Sequence, residues 1–207
     1  MTDTRVVKQR HHVRKAKSKA TLRHAGRVVR IKGAQKNADV IFAAPQTGSS
    51  SPYHVLYVRS RGIDDFVANI YGADPIRLIE TERKGVAGVF VKDLSRRMEI
   101  PAQRMFSMLG VPKATAEKKV AAGELLTGSG GRAALGIAKL LGMAREIVDN
   151  STAPEAKDFD VAKWLGQWLE KPQPALGGRK PAELIDTPTG LAVVAKLLGA
   201  IESGAYQ

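Results

Sequence analysis

The sequence contains no cysteine. That absence removes disulfides, thiolate metal sites and a cysteine nucleophile, and it is the usage of a chain at home in a reducing compartment. Histidine is nearly as scarce. His11, His12, His24 and His54 are the full set, and none stands at a metal-ligand spacing, so no metal site is expected. Aromatic residues make up 5% of the chain, which leaves the core to Leu, Ile, Val, Ala and Met. No apolar run approaches the roughly 18 residues of a membrane span, and the N-terminus lacks the apolar stretch of a secretory signal. The expectation is a soluble, cytoplasmic protein without membrane contact.

Acidic residues are missing from one place in particular. Residues 1–36 carry 12 lysines and arginines and a single acid, Asp3, so this segment holds +11 of the net +13 and leaves +2 for the rest. Lys and Arg interleaved with small residues give little apolar surface to bury, which favours disorder. A basic arm on a nearly neutral body points to a polyanion such as nucleic acid, although a solvated tail accounts for the same charge. Residues 1–61 are therefore read as a basic N-terminal extension, largely disordered or with short strands at 39–43 and 54–59.

From Gly62 onward, Gly and Pro punctuate segments of helical period, and the fold class is read as mainly α. Helices are expected over 63–70, 75–84, 89–98, 101–109, 113–122 and 129–149, with Asp74 as the N-cap of the second. Short helices with tight breaks between residues 89 and 122 give the layout of a helix-turn-helix bundle, in a domain spanning 62–150. The recognition helix would be 113–122, exposing Lys113, Thr115, Glu117, Lys118 and Lys119, with Arg104 of the preceding helix reaching a phosphate. An ordinary α-hairpin with a solvated lysine face fits the pattern about equally well. The longest helix, 129–149, is apolar around most of its circumference, as a helix buried from two sides would be.

One motif suggests a rival chemistry. Gly128, Gly130 and Ala133 match G-x-G-x-x-A, and Asp149 follows at about the spacing of a dinucleotide site. That motif requires a buried strand before it and a parallel strand ending at the acid. Residues 124–127 are too short and polar for the first, and Asp149 ends a helix. The glycines are read instead as an interhelical turn with Ser129 capping, and no cofactor is expected. The carboxylate pairs Asp64/Asp65 and Glu80/Glu82 have no nucleophile or oxyanion donor beside them, so the chain is not read as an enzyme.

Residues 151–207 form the last expected domain. Val161, Trp164, Leu165, Trp168 and Leu169 make one apolar stripe on a helix over 158–170. A turn-rich bridge follows, in which Leu176 can plug the core, and then a single helical turn over 182–185. Thr187 caps and Pro188 begins the last helix, whose apolar face is Leu191, Val194, Leu197, Leu198 and Ile201.

Trp168-Leu169, Pro172, Ala175-Leu176-Gly177-Gly178, Pro181, Glu183-Leu184-Ile185-Asp186-Thr187 and Gly190 follow in order, ahead of a final G-x-Y at 204–206. This pattern resembles the toxin-binding domain of Xre/MbcA/ParS-type antitoxins over 158–207. Residues 74–149 are similar, more weakly, to the Xre-like helix-turn-helix that precedes it in that family. The resemblance implies a type II antitoxin. Its C-terminal domain would bind and sterically inactivate a RES-type, NAD-consuming toxin, while a homodimer bound to operator DNA represses the shared operon. It also implies toxin contacts at Trp168, Leu176, Gly177, Gly178, Arg179, Thr187 and Lys196, with Gly204, Ala205, Tyr206 and Gln207 approaching the toxin's cleft. Lys118 and Lys119 stand where Arg would be expected of the family's recognition helix. The other reading is a stand-alone helix-turn-helix regulator whose C-terminal domain serves only for dimerisation.

Overall fold

Asp74 illustrates how local chemistry starts the helices of this chain. Its carboxylate accepts the Arg77 N–H at 3.0 Å, Pro75 occupies the first helical position, and α2 runs Pro75–Lys84 from there. The structure, a computed structural model, describes residues 53–152 and 154–202, which lie in one compact unit, Thr47–Gln207. The basic segment 1–36, the expected strand at 39–43 and the candidate residues Gly204, Ala205, Tyr206 and Gln207 lie outside the described residues.

The described part is mainly α, as expected. Around α2 stand α1 (Gly62–Tyr71), α3 (Gly88–Arg97), α4 (Ala102–Met108), α5 (Lys113–Ala121), α6 (Gly128–Asp149), α7 (Val161–Leu169) and α8 (Pro188–Glu202). The segment expected as a strand over 54–59 has no strand partner among the described residues; it is extended and ends in a 3-10 turn, Arg59–Arg61. It is held by polar contacts. The Val55 N–H donates to Thr81 Oγ1 at 2.8 Å, and the Tyr57 hydroxyl donates to Asp93 Oδ2 at 2.9 Å. Burial, and then the Asp93 carboxylate, push the Tyr57 pKa up to about 12, so the phenol keeps its proton and the bond at physiological pH. The Tyr57 ring packs against Phe66 and Phe90, which lie 4.7 Å apart centroid to centroid, at the middle of the first half's core.

A two-residue ladder went unforeseen. β1 (Val86–Ala87) pairs antiparallel with β2 (Leu125–Leu126), tying the end of α2 to the segment that follows α5. The same ladder settles the dinucleotide motif against a βαβ unit, because the strand before Gly128 is short and its partner is antiparallel. A Cβ on Gly130 would collide with the Val111 side chain, so that glycine faces protein rather than a ligand. Ser129 is not the cap expected: α6 is entered through Thr127, without a side-chain cap bond, and Gly128 takes φ +67°.

α6 is buried from two sides, as its composition demands. Leu135, Ile137, Leu140, Leu141 and the small residues between them are all covered, with α1 and α2 on one part of the surface and α7 and α8 on another. Both halves of the chain therefore share one core. α7 sits close to the end of α3, where only Gly166 fits, since a Cβ there would strike the Met98 carbonyl.

Candidate functional site

Two surfaces carry the residues singled out in the sequence. The first is the helix pair α4–α5. Gly110, at φ +65°, and Val111 turn the chain between them, with the Val111 N–H donating to the Phe106 carbonyl at 2.9 Å. α5 buries only Ala116, so Lys113, Thr115, Glu117 and Lys118 are exposed on it. Lys113 and Glu117 are one turn apart at 4.0 Å, a pair weak enough to exchange for another partner. Lys119 is differently occupied. Its ammonium donates to Glu124 Oε2 and to the Leu125 carbonyl, both at 3.2 Å, and so fastens α5 to β2.

Arg104, expected at a phosphate, is turned toward the C-terminal half. Its guanidinium donates to both oxygens of Glu170, at 2.5 Å and 3.2 Å, and Lys180 approaches the same carboxylate at 3.4 Å. Burial works to raise the Glu170 pKa, but the bonds and charges of Arg104 and Lys180 outweigh it and hold the carboxyl below its ordinary range. A second link joins Arg97 Nη1 to Asp160 Oδ1 at 2.7 Å. The Lys163 N–H and Arg97 hold the Asp160 pKa low, and Asp160 also caps α7. Glu170 and Lys180 escaped sequence reasoning. The available signal was an acid at the C-terminal end of α7, where the helix dipole disfavours it and a cationic partner is called for.

The second surface is built by α7, the segment 172–187 and α8. Trp168 is 7% exposed and stacks on Trp164, whose ring is 6.1 Å away, so its side chain belongs to the core beneath the surface. Above it the chain makes a 3-10 turn, Pro174–Leu176, and continues through Gly177 and Gly178 at φ +64° and +80°, a left-handed path that residues with a Cβ rarely take. Gln173 closes the loop, its N–H donating to the Arg179 carbonyl at 3.0 Å and its carbonyl accepting from Gly178 at 3.0 Å. Leu176 half-buries against the core while Gly177, Gly178 and Arg179 stay exposed.

Past the loop, the single turn expected over 182–185 is a 3-10 turn one residue earlier, Pro181–Glu183. Thr187 behaves as expected: its hydroxyl accepts the Gly190 N–H at 3.0 Å and donates to the Leu184 carbonyl at 3.2 Å. α8 then buries Val194, Leu197 and Leu198, while Val193, 43% exposed, and Lys196 face outward. Gly177, Gly178, Arg179, Thr187, Val193 and Lys196 are thus the exposed candidates of this half, held on the loop and on α8.

Residues 143–204 match the antitoxin Xre/MbcA/ParS C-terminal toxin-binding domain, a match that takes in α7, the loop and α8. A curated relative, "Prs ADP-ribosylating antitoxin" of Sphingobium sp. (strain YBL2), is 38% identical over 137 residues, or 66% of this chain and 85% of that protein. A likeness of that extent cannot be confined to the C-terminal domain, and the chain belongs to the Xre/MbcA/ParS antitoxin family, with the role of the antitoxin in a toxin–antitoxin pair.

Proposed function

We propose that this antitoxin binds a RES-type toxin through the 173–187 loop and the outward face of α8, and blocks it sterically. The observation that carries the reading is the loop: two left-handed glycines and a closed set of backbone hydrogen bonds hold an exposed surface in one shape, so little ordering cost remains for binding. Arg179, Thr187, Val193 and Lys196 supply the contacts, Leu176 and Trp168 support them from below, and Gly204 to Gln207 enter the toxin's cleft. The relative's name speaks of ADP-ribosylation, a reaction that cleaves nicotinamide from NAD and transfers ADP-ribose. That chemistry favours an NAD-consuming toxin here too. Inhibition by occlusion needs no catalytic group from this chain.

The helix-turn-helix half would repress the operon in the cytoplasm, as a homodimer that sets two α5 helices about 34 Å apart on a pseudo-palindromic operator. Lys113, Thr115 and Lys118 are free to meet DNA; Lys119 and Arg104 contribute by holding α5 and α4 in position. The test is coexpression with the adjacent gene product. Growth rescued by the full chain and not by one ending at Gly204 supports occlusion by the last residues. Rescue by both moves inhibition onto the loop and α8, and absence of both toxicity and complex overturns the reading.

A further inference from the structure

One cationic cluster belongs to neither surface. Because Val55 is buried and its N–H is held by Thr81, Tyr53 and His54 are turned against the last two turns of α2. Tyr53 and His54 there line an open cavity of about 480 Å³ with Glu80, Arg83 and Lys84. Arg77 stands close enough to act on the same imidazole: burial first, then the charges of Lys84 and Arg77, lower the His54 pKa against the opposing Glu80. Three permanent cations and one carboxylate thus gather about His54. Glu80 is already paired with Arg83 at 2.7 Å, Lys84 makes no ion pair among the described residues, and Arg77 Nε is buried without a hydrogen-bond partner.

Cations in the last turn offset a helix dipole, and that alone accounts for Arg83 and Lys84 as residue types. It does not account for a polar wall of Tyr53 and His54 brought up against them, nor for Tyr53 being left 72% exposed. The position matters more. Lys84 is followed by Gly85, where an added Cβ would strike the Leu126 carbonyl and Thr127, and β1 and β2 then join this end of α2 to the chain leaving α5. The cluster is thereby tied to the C-terminal side of the helix proposed to read DNA. In the sequence, residues 1–36 with their balance of +11 precede Tyr53.

We propose that His54, Arg77, Arg83 and Lys84, with the Tyr53 hydroxyl, form a contact for the phosphate backbone of duplex DNA, flanking the contact made by α5. This rests on the DNA-binding reading of α5. A guanidinium fork, an ammonium, an imidazole N–H and a phenol are the donors that phosphates take, and such contacts fix register without reading sequence. The site lengthens the footprint beyond the contact made by α5.

The test uses the full chain and a labelled duplex containing the region upstream of its own gene, over a salt series of about 50 to 200 mM. Each lost phosphate contact lowers the slope of log K against log salt by about 0.9. Arg83→Gln/Lys84→Gln is expected to lower it by about 1 to 2, with about tenfold weaker binding to operator and scrambled duplex alike. Lys157→Gln/Lys171→Gln, which removes the same charge from exposed positions elsewhere, is expected to leave the slope unchanged. Should the double variant melt early, Lys84→Gln alone carries the test, and Lys84→Arg restores the slope. An unchanged slope in a folded variant overturns the site while the reading of α5 stands. Wild-type chain that binds no duplex overturns both.

Discussion

α5 and the 173–187 loop expose their candidate residues in opposite ways. α5 is regular in backbone but buries a single side chain, Ala116, so Lys113 and Lys118 are solvated and free to change rotamer, while Lys119 alone among its lysines is tied down. The loop has little regular structure, yet Gln173 is buried, its backbone bonds are closed, and Thr187 and Pro188 define where it stops. Regularity and rigidity are therefore separate properties in this molecule. A helix lying on a groove can settle its side chains after contact, whereas a surface that must plug an enzyme gains from having its shape fixed beforehand.

The contrast can be broken most strongly from beneath the loop. Trp168→Ala removes a large ring that is 7% exposed and is expected to cost about 3 kcal/mol or more, read by chemical denaturation. A cost under about 1 kcal/mol would place the ring on the surface rather than in the core. Next in size is Glu170→Gln, which leaves Arg104 and Lys180 without their shared carboxylate. The pair's side chains are 37% and 28% exposed, so solvent screening brings the expected cost down to about 1 kcal/mol. Its pH dependence has a definite sign. The Glu170 pKa is lower in the fold than in the unfolded chain, so the stabilisation is complete above the ordinary value of 4.5 and fades as pH falls through the folded value. Wild type and variant should therefore converge in acid, which melting curves at several pH values would reveal.

Gly178→Ala sharpens the comparison at the backbone. Nothing lies within 4 Å of the added methyl, so any loss reports the φ of +80° alone, about 1 kcal/mol, together with weaker toxin binding measured by calorimetry. The smallest effect is expected on α5. Lys118→Ala should change stability by less than about 0.5 kcal/mol while lowering affinity for duplex DNA, since the residue is exposed and holds nothing in place. A marked drop in melting temperature would make α5 a packed helix and erase the distinction.

Much of this fold was legible because its signals are local. Asp74, Thr187 and Pro188 mark their helix ends within three residues, and the stripe from Val161 to Leu169 faces the core as its spacing requires. The Gly177-Gly178 step was equally readable, since few other residues tolerate that path. What escaped depends on partners distant in sequence. Arg104 looked free because Glu170 is 66 positions away. β1 and β2 are two residues each, too short for any periodicity to register. Ser129 was the better capping residue by type, but the positive φ of Gly128 set the start of α6 and left the serine inside the first turn. His54 joined the cationic cluster only because Thr81 anchors the residue beside it.

The sharing of α6 between the two halves bears on the lifetime of the protein. Residues 150–152 and 157–160, between α6 and α7, are exposed, and a protease cutting there would take α7 and α8 off the face of α6 that meets Leu191 and Gly199. The fragment left behind would keep its helices but lose one wall of its interior. One cut there would undo the packing of both halves at once, so the described part is expected to be lost to proteolysis as a unit.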